Sequence, residues 1–170
     1  FVVQGYTQKN GIDFYSDNLF ALVTKLSTVQ LLLSWAASKN YEIHQIDVKS
    51  AYLYRELNED ELIYVKLLPG RLLTDIKPGQ VLHLNKMLYR LKQAGRQWYK
   101  KITKLLLKIG LEQANYNHTV FYKKQNNKTI LVTFMYINNI MIIGETIAII
   151  IVFKHALRQH VAFTNSNKIH

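Results

Sequence analysis

Between Lys86 and Leu111 the chain carries Lys86, Arg90, Lys92, Arg96, Lys100, Lys101, Lys104 and Lys108, and no carboxylate among them. Cations at this density suit phosphate neutralisation, and the interleaved Tyr89, Trp98 and Tyr99 are of the type that stacks on bases or sugars. Lys100, Lys104 and Lys108 recur every four residues, which on a helix sets them on one face. Leu105, Leu106 and Ile109 then point elsewhere, so an amphipathic helix with a solvated basic face satisfies the same pattern, with Trp98 a core residue. Two other places carry polar groups of chemical interest. Asp47 falls near the end of an alternating segment, where an aspartate serves a turn or cap more often than it binds a metal. Asn138-Asn139 stands between two apolar runs, which is also the composition of an ordinary hairpin turn.

The elements that position these groups follow from periodicity. Val29, Leu32, Leu33 and Ala36 predict a helix over 27–39, with Ser27 or Thr28 as its cap. Residues 42–48 alternate polar and apolar side chains, the pattern of a strand, and Asp47 lies near its end. The segment 55–85 is turn-rich, with Pro69-Gly70 and Pro78-Gly79, and holds two short predicted strands over 62–66 and 81–84. A helix over 93–109 is closed by Gly110. Strands over 119–123 and 130–136 follow, the second leading through Ile137-Asn138-Asn139 to a third over 140–143, and then a helix over about 147–159. This order predicts an α+β fold with an antiparallel sheet.

Composition bounds the partners. The chain has 170 residues, 49% hydrophobic and 19% charged, which excludes a disordered polar segment and allows one domain or a two-lobed unit with a real core. Lysine and arginine exceed aspartate and glutamate by 22 to 11, a net charge of +11 that attracts polyanions, nucleic acid foremost. Without cysteine there are no disulfides and no thiolate metal sites, and the redox compartment stays open. The opening Phe1-Val2-Val3-Gln4 has neither an initiator methionine nor a signal pattern, as expected of an internal fragment that begins upstream. The apolar stretch 129–153 is interrupted by Asn138-Asn139 and Gly144-Glu145, so it reads as two strands and a helix and not as a membrane span.

Four blocks in order resemble the Ty1/copia-type retrotransposon reverse transcriptases. They are Val3-Gln4-Gly5-Tyr6-Thr7-Gln8-Lys9 with Gly11-Ile12-Asp13, then His44-Gln45-Ile46-Asp47-Val48-Lys49-Ser50-Ala51-Tyr52-Leu53, then Leu88-Tyr89-Arg90-Leu91-Lys92-Gln93-Ala94-Gly95-Arg96-Gln97-Trp98-Tyr99, and last Tyr136-Ile137-Asn138-Asn139-Ile140. The run Lys25-Leu26-Ser27-Thr28-Val29-Gln30-Leu31-Leu32-Leu33 matches as well. The resemblance implies the palm and fingers of a right-handed polymerase, with fingers at about 1–22 and 55–92 and palm at about 23–54 and 93–170. Thumb, connection and RNase H regions would lie beyond residue 170.

The resemblance further implies RNA-directed DNA polymerisation with Mg2+, a template–primer of RNA or DNA, and deoxynucleoside triphosphates as partners, in a cytoplasmic particle or the nucleus. Asp47 matches the first catalytic, metal-binding aspartate. Asn138 and Asn139 stand where the family has its other two aspartates, so one carboxylate of three remains and the site is expected to be inactive. No aspartate follows Asp75, and Glu145 is placed at the far end of a strand from the hairpin tip. Tyr52 matches an aromatic steric gate against the sugar 2′-hydroxyl, and Gln93 a glutamine beside the incoming nucleotide. Lys92, Arg96, Lys100 and Lys104 are the candidates for nucleic-acid contact. Arg90 replaces a usual glycine, costly if the backbone needs positive φ, and Gly95 replaces a proline that would stiffen the chain. A weakly active polymerase and a non-catalytic nucleic-acid-binding module are the alternative functions. Loss of the covering regions is expected to leave an apolar surface exposed.

Overall fold

The computed structural model describes residues 3–14, 19, 23–54, 62–66 and 80–166. The chain divides into two compact units, residues 1–20 with 52–98, and residues 21–51 with 99–170. The Pro69-Gly70 and Pro78-Gly79 turns lie outside the described residues.

In the second unit a six-stranded sheet is ordered β4-β5-β6-β7-β1-β8 and every neighbouring pair is antiparallel. The strands are β1 (Glu42–Val48), β4 (Glu112–Gln113), β5 (Val120–Gln125), β6 (Lys128–Tyr136), β7 (Asn139–Gly144) and β8 (Phe163–Ser166). The helices are α1 (Leu26–Lys39), α2 (Ala94–Lys108), whose first residues belong to the other unit, and α3 (Ile147–Arg158). Alternation along the strands sends successive side chains to opposite faces. Val120, Val132, Phe134 and Ile143 form a buried cluster with Ala36 of α1, joined by Val29, Leu32 and Trp35. Phe121, Leu131, Ile140, Ile142 and Ile46 are buried on the opposite face, and α3 buries Ile150, Phe153 and Leu157. The outer flank of α3 leaves Ile147, Ile151 and Val152 more than half exposed.

Both early helices end in a left-handed residue that collects their last carbonyls. Gly110 (φ 88°) donates to Leu107 O at 3.0 Å and Leu111 N–H to Leu106 O at 3.1 Å, as the glycine stop predicts. Asn40 (φ 51°) donates to Ala37 O and Tyr41 N–H to Ala36 O in the same pattern, with an asparagine in the glycine's place. The start of α1 departs from expectation. Lys25 holds the cap position without a side-chain bond, and Ser27 and Thr28 lie inside the helix. At α3, Thr146 Oγ1 accepts from Ile149 N–H at 3.4 Å.

The first unit, residues 1–20 and 52–98, holds the two-stranded sheet of β2 (Tyr64–Lys66) and β3 (Val81–His83). Met87, Leu91 and Ala94 make its buried cluster, packed by Val3, Tyr52, Ile63, Leu84 and Leu88. Among the described residues no helix is long and apolar enough to cross a membrane.

Candidate catalytic hairpin and basic helix

The strand register brings Asp47 and the asparagine pair together across 91 residues of sequence. Asp47 of β1 lies directly opposite Asn139 of β7, and on its other side opposite Thr164 of β8. Tyr136 pairs with Asn139, so the tight turn is Ile137-Asn138, one residue earlier than an Asn-Asn turn would be. Ile137 takes φ 59° there, in the left-handed region where a β-branched side chain is strained. The turn is pinned to β1 by Val48 N–H, which donates to Asn138 O at 3.0 Å. So anchored, Asn138 reaches back and donates its side-chain amide to Asp47 Oδ1 at 2.5 Å. An ionised carboxylate only accepts, so the nitrogen of the Asn138 amide must face it. Beside this pair, Gln45 Nε2 donates to Asn139 Oδ1 at 2.8 Å. Gln45 was missed in the sequence reading, although it is two residues from Asp47 and therefore on the same face of β1.

This donor set does not fit a pair of hard divalent cations. Such ions call for several anionic oxygens to offset their charge. Here Asp47 offers one carboxylate, one of whose oxygens accepts from Asn138, and the neutral oxygen of Asn139, which accepts from Gln45, adds no charge. The two later glutamates are bonded elsewhere. Glu145 follows Gly144, at the opposite end of β7 from Asn139, and forms an ion pair with Lys128. Glu112 accepts from the Tyr122 hydroxyl at 3.1 Å on β4, the far edge of the sheet from β1 and β8.

In the first unit, Tyr52 packs edge-on against Tyr89 with ring centroids 4.7 Å apart, and burial followed by the Tyr89 phenol raises its pKa. Gln93 is buried and both ends of its amide are used. Its Nε2 donates to Asp13 O at 3.2 Å and its Oε1 accepts from Gln8 Nε2 at 3.1 Å. Lys92 is exposed yet engaged, its backbone N–H donating to Gln8 Oε1 at 2.8 Å and its ammonium lying 4.6 Å from the Phe14 ring centre. The Arg96 side chain is half-buried, and its enclosed Nε has no hydrogen-bond partner among the described residues. Lys100, Lys104 and Lys108 are exposed along α2, while Ile102, Leu105 and Leu106 are buried.

Of the three aromatic residues on this stretch, Trp98 is 3% exposed, a core residue beside Tyr54, and is not available for stacking. Tyr99 is half-buried with its hydroxyl donating to His118 O at 2.8 Å. The two departures at the start of this stretch differ in cost. Arg90 has φ 72°, the conformation in which a glycine costs nothing and an arginine is strained. Gly95 lies in the first turn of α2 and does not take positive φ, so its cost is that of a glycine in a helix.

A family model described as reverse transcriptase (RNA-dependent DNA polymerase) matches residues 1–170. The chain is 35% identical over 144 residues to the retrovirus-related Pol polyprotein from transposon TNT 1-94 of Nicotiana tabacum, covering 85% of this chain and 10% of that protein. It is 33% identical over 144 residues to the Pol polyprotein from transposon RE1 of Arabidopsis thaliana, covering 85% of this chain and 9% of the relative. To the transposon Ty1-BL Gag-Pol polyprotein of Saccharomyces cerevisiae it is 33% identical over 120 residues, 70% of this chain and 6% of that one. The chain thus spans at most about a tenth of the length of these relatives.

Proposed function

Because the chain belongs to the reverse transcriptase (RNA-dependent DNA polymerase) family, in its copia-type branch, we propose that it is a polymerase scaffold that holds nucleic acid without extending it. Residues 23–54 and 93–170 are read as palm, and residues 1–22 and 55–92 as fingers. The observation that carries the loss of catalysis is the Asn138 amide donating to Asp47 Oδ1. Phosphoryl transfer in a carboxylate site of this type uses two divalent metals about 3.5–4 Å apart, one at the attacking oxygen and one at the leaving oxygens. One carboxylate flanked by carboxamides lacks the charge to hold such a pair.

The remaining roles are binding roles. Lys100 and Lys104, on the exposed side of α2, are read as phosphate contacts, with Lys92 and Arg96 earlier on the same stretch. Tyr52 is read as the gate facing the sugar of a nucleotide. Gln93 is read as a positioning residue, since its amide fixes Gln8 and the Asp13 carbonyl.

The test is binding of an RNA–DNA template–primer across a salt series, with primer extension in Mg2+ on the same preparations. Binding should weaken linearly on a log–log salt plot, and Lys100→Glu with Lys104→Glu should lower that slope by about 2. The unmodified chain should give no extension. Extension that disappears on Asp47→Asn would overturn the reading, and salt-insensitive or absent binding would remove the nucleic-acid role.

A further inference from the structure

The hydrogen bonds at the hairpin do more than mark a lost site. We infer that Asn138 acts as a built-in replacement for a cation, supplying a donor to the lone carboxylate of Asp47 so that this region folds without any divalent metal. The inference rests on reading the hairpin as the relic of a metal site, and it deepens that reading by assigning the asparagine a structural task.

Three observations support it. Asn138 Nδ2 points at Asp47 Oδ1 from 2.5 Å, supplying a donor directly to the carboxylate. The backbone holding that amide is fixed by Val48 N–H on Asn138 O and by the Ile137 turn, so the donor is positioned by the sheet itself. Gln45 then covers the second asparagine, donating to Asn139 Oδ1 at 2.8 Å.

The two asparagines are therefore unequal. An aspartate at 139 stands across the strand from Asp47 but keeps the acceptor for Gln45 and leaves the Asn138 donor on Asp47, whereas an aspartate at 138 exchanges that donor for a second carboxylate facing Asp47. Like charges that close destabilise each other unless a cation or proton lies between them.

The test uses thermal melts of the 170-residue chain in EDTA and in millimolar Mg2+ or Mn2+, with no nucleic acid or nucleotide present. The unmodified chain should melt at the same temperature in all three. Asn138→Asp should lower the midpoint in EDTA by about 5 °C, with recovery in Mn2+, and Asn139→Asp should lower it by less than half as much. The exchanged pair Asp47→Asn/Asn138→Asp places a donor opposite a carboxylate again and should recover most of the loss without metal. Should Asn138→Asp fail to fold in EDTA, the exchanged pair gives the reading by itself: folded supports the inference, unfolded overturns it. It is also overturned if Asn138→Asp melts like the unmodified chain in EDTA, or if the unmodified chain binds Mn2+ saturably, seen by water-proton relaxation and abolished by Asp47→Asn. None of these outcomes depends on extension activity, so failure here is distinct from failure of the proposed function.

Discussion

Gly5 sits against the carbonyl of Arg90 so closely that a Cβ on it would stand 1.7 Å from that oxygen. The same Arg90 is held at φ 72°. The N-terminal segment and the start of the α2 region therefore meet backbone to backbone, with the strain concentrated on an arginine. Relieving it should stabilise the first unit: Arg90→Gly is expected to add about 1 kcal/mol, because the left-handed region costs a side-chain-bearing residue about that much. Gly5→Ala should instead cost about 2 kcal/mol or more, since the obstacle is main chain and cannot rotate away. Urea unfolding of the two variants measures both, and a loss on Arg90→Gly would refute the strain argument.

Ile137 presents a second strained position, with φ 59° at the first residue of the β6–β7 turn and a side chain 48% exposed. Ile137→Gly gives up little buried surface and frees a conformation that costs about 1–3 kcal/mol for a β-branched residue. A net gain of about 1 kcal/mol in urea is expected. If Ile137→Gly destabilises, the isoleucine contributes more through contact than it costs through its backbone.

Why was the site only half legible in the sequence? The two asparagine pairs show the difficulty. Asn126-Asn127 joins β5 to β6 with both residues at positive φ, as the residue type predicts for a two-residue turn. Asn138-Asn139 has the same letters, but the pairing of Tyr136 with Asn139 shifts that turn onto an isoleucine. Local composition cannot see this shift, because register is set by the core-facing residues of the whole strand. Strand β1 and the Gly110 stop, by contrast, rest on alternation and on a single conformational preference, both written locally. Strand β8 escaped notice because Phe163-Thr164-Asn165-Ser166 is a short, polar edge strand whose pairing comes from β1. The bond between Asn138 and Asp47 is a consequence of sheet order and so appears only in three dimensions.

In the first turn of α2, Gly95 adds backbone freedom to the unfolded chain and no methyl group to the helix. Its φ is not positive, so alanine is compatible with the conformation. Gly95→Ala should stabilise by about 0.5–1 kcal/mol, read as a rise in urea midpoint with an unchanged slope. A loss would mean that the half-buried position has no room for a methyl group.

The alkaline limb of stability should depend on Tyr52. Burial, and secondarily Tyr89, raise its pKa above the usual 10.0, so the folded state favours the neutral phenol. The unfolded chain ionises first as pH rises, and the stabilisation is intact below 10.0 and lost as pH climbs from there through the folded pKa. Tyr122, whose hydroxyl donates to Glu112, shifts in the same direction. Lys154 opposes them: burial, then Arg158, lowers its pKa below 10.5, so its charge is a cost in the folded state that is relieved as pH rises to that value. Lys128, whose pKa its hydrogen bond to Glu145 raises above 10.5, also loses stabilisation at high pH, so Tyr52→Phe removes one contribution to the decline and leaves those of Tyr122 and Lys128. The variant should therefore lose less stability than the unmodified chain between neutral and strongly alkaline pH, compared by urea midpoints at each pH. Phenolate absorbance followed during the same titration should lose one late-ionising tyrosine. If the two stability profiles superimpose, the packing of Tyr52 against Tyr89 does not hold its proton.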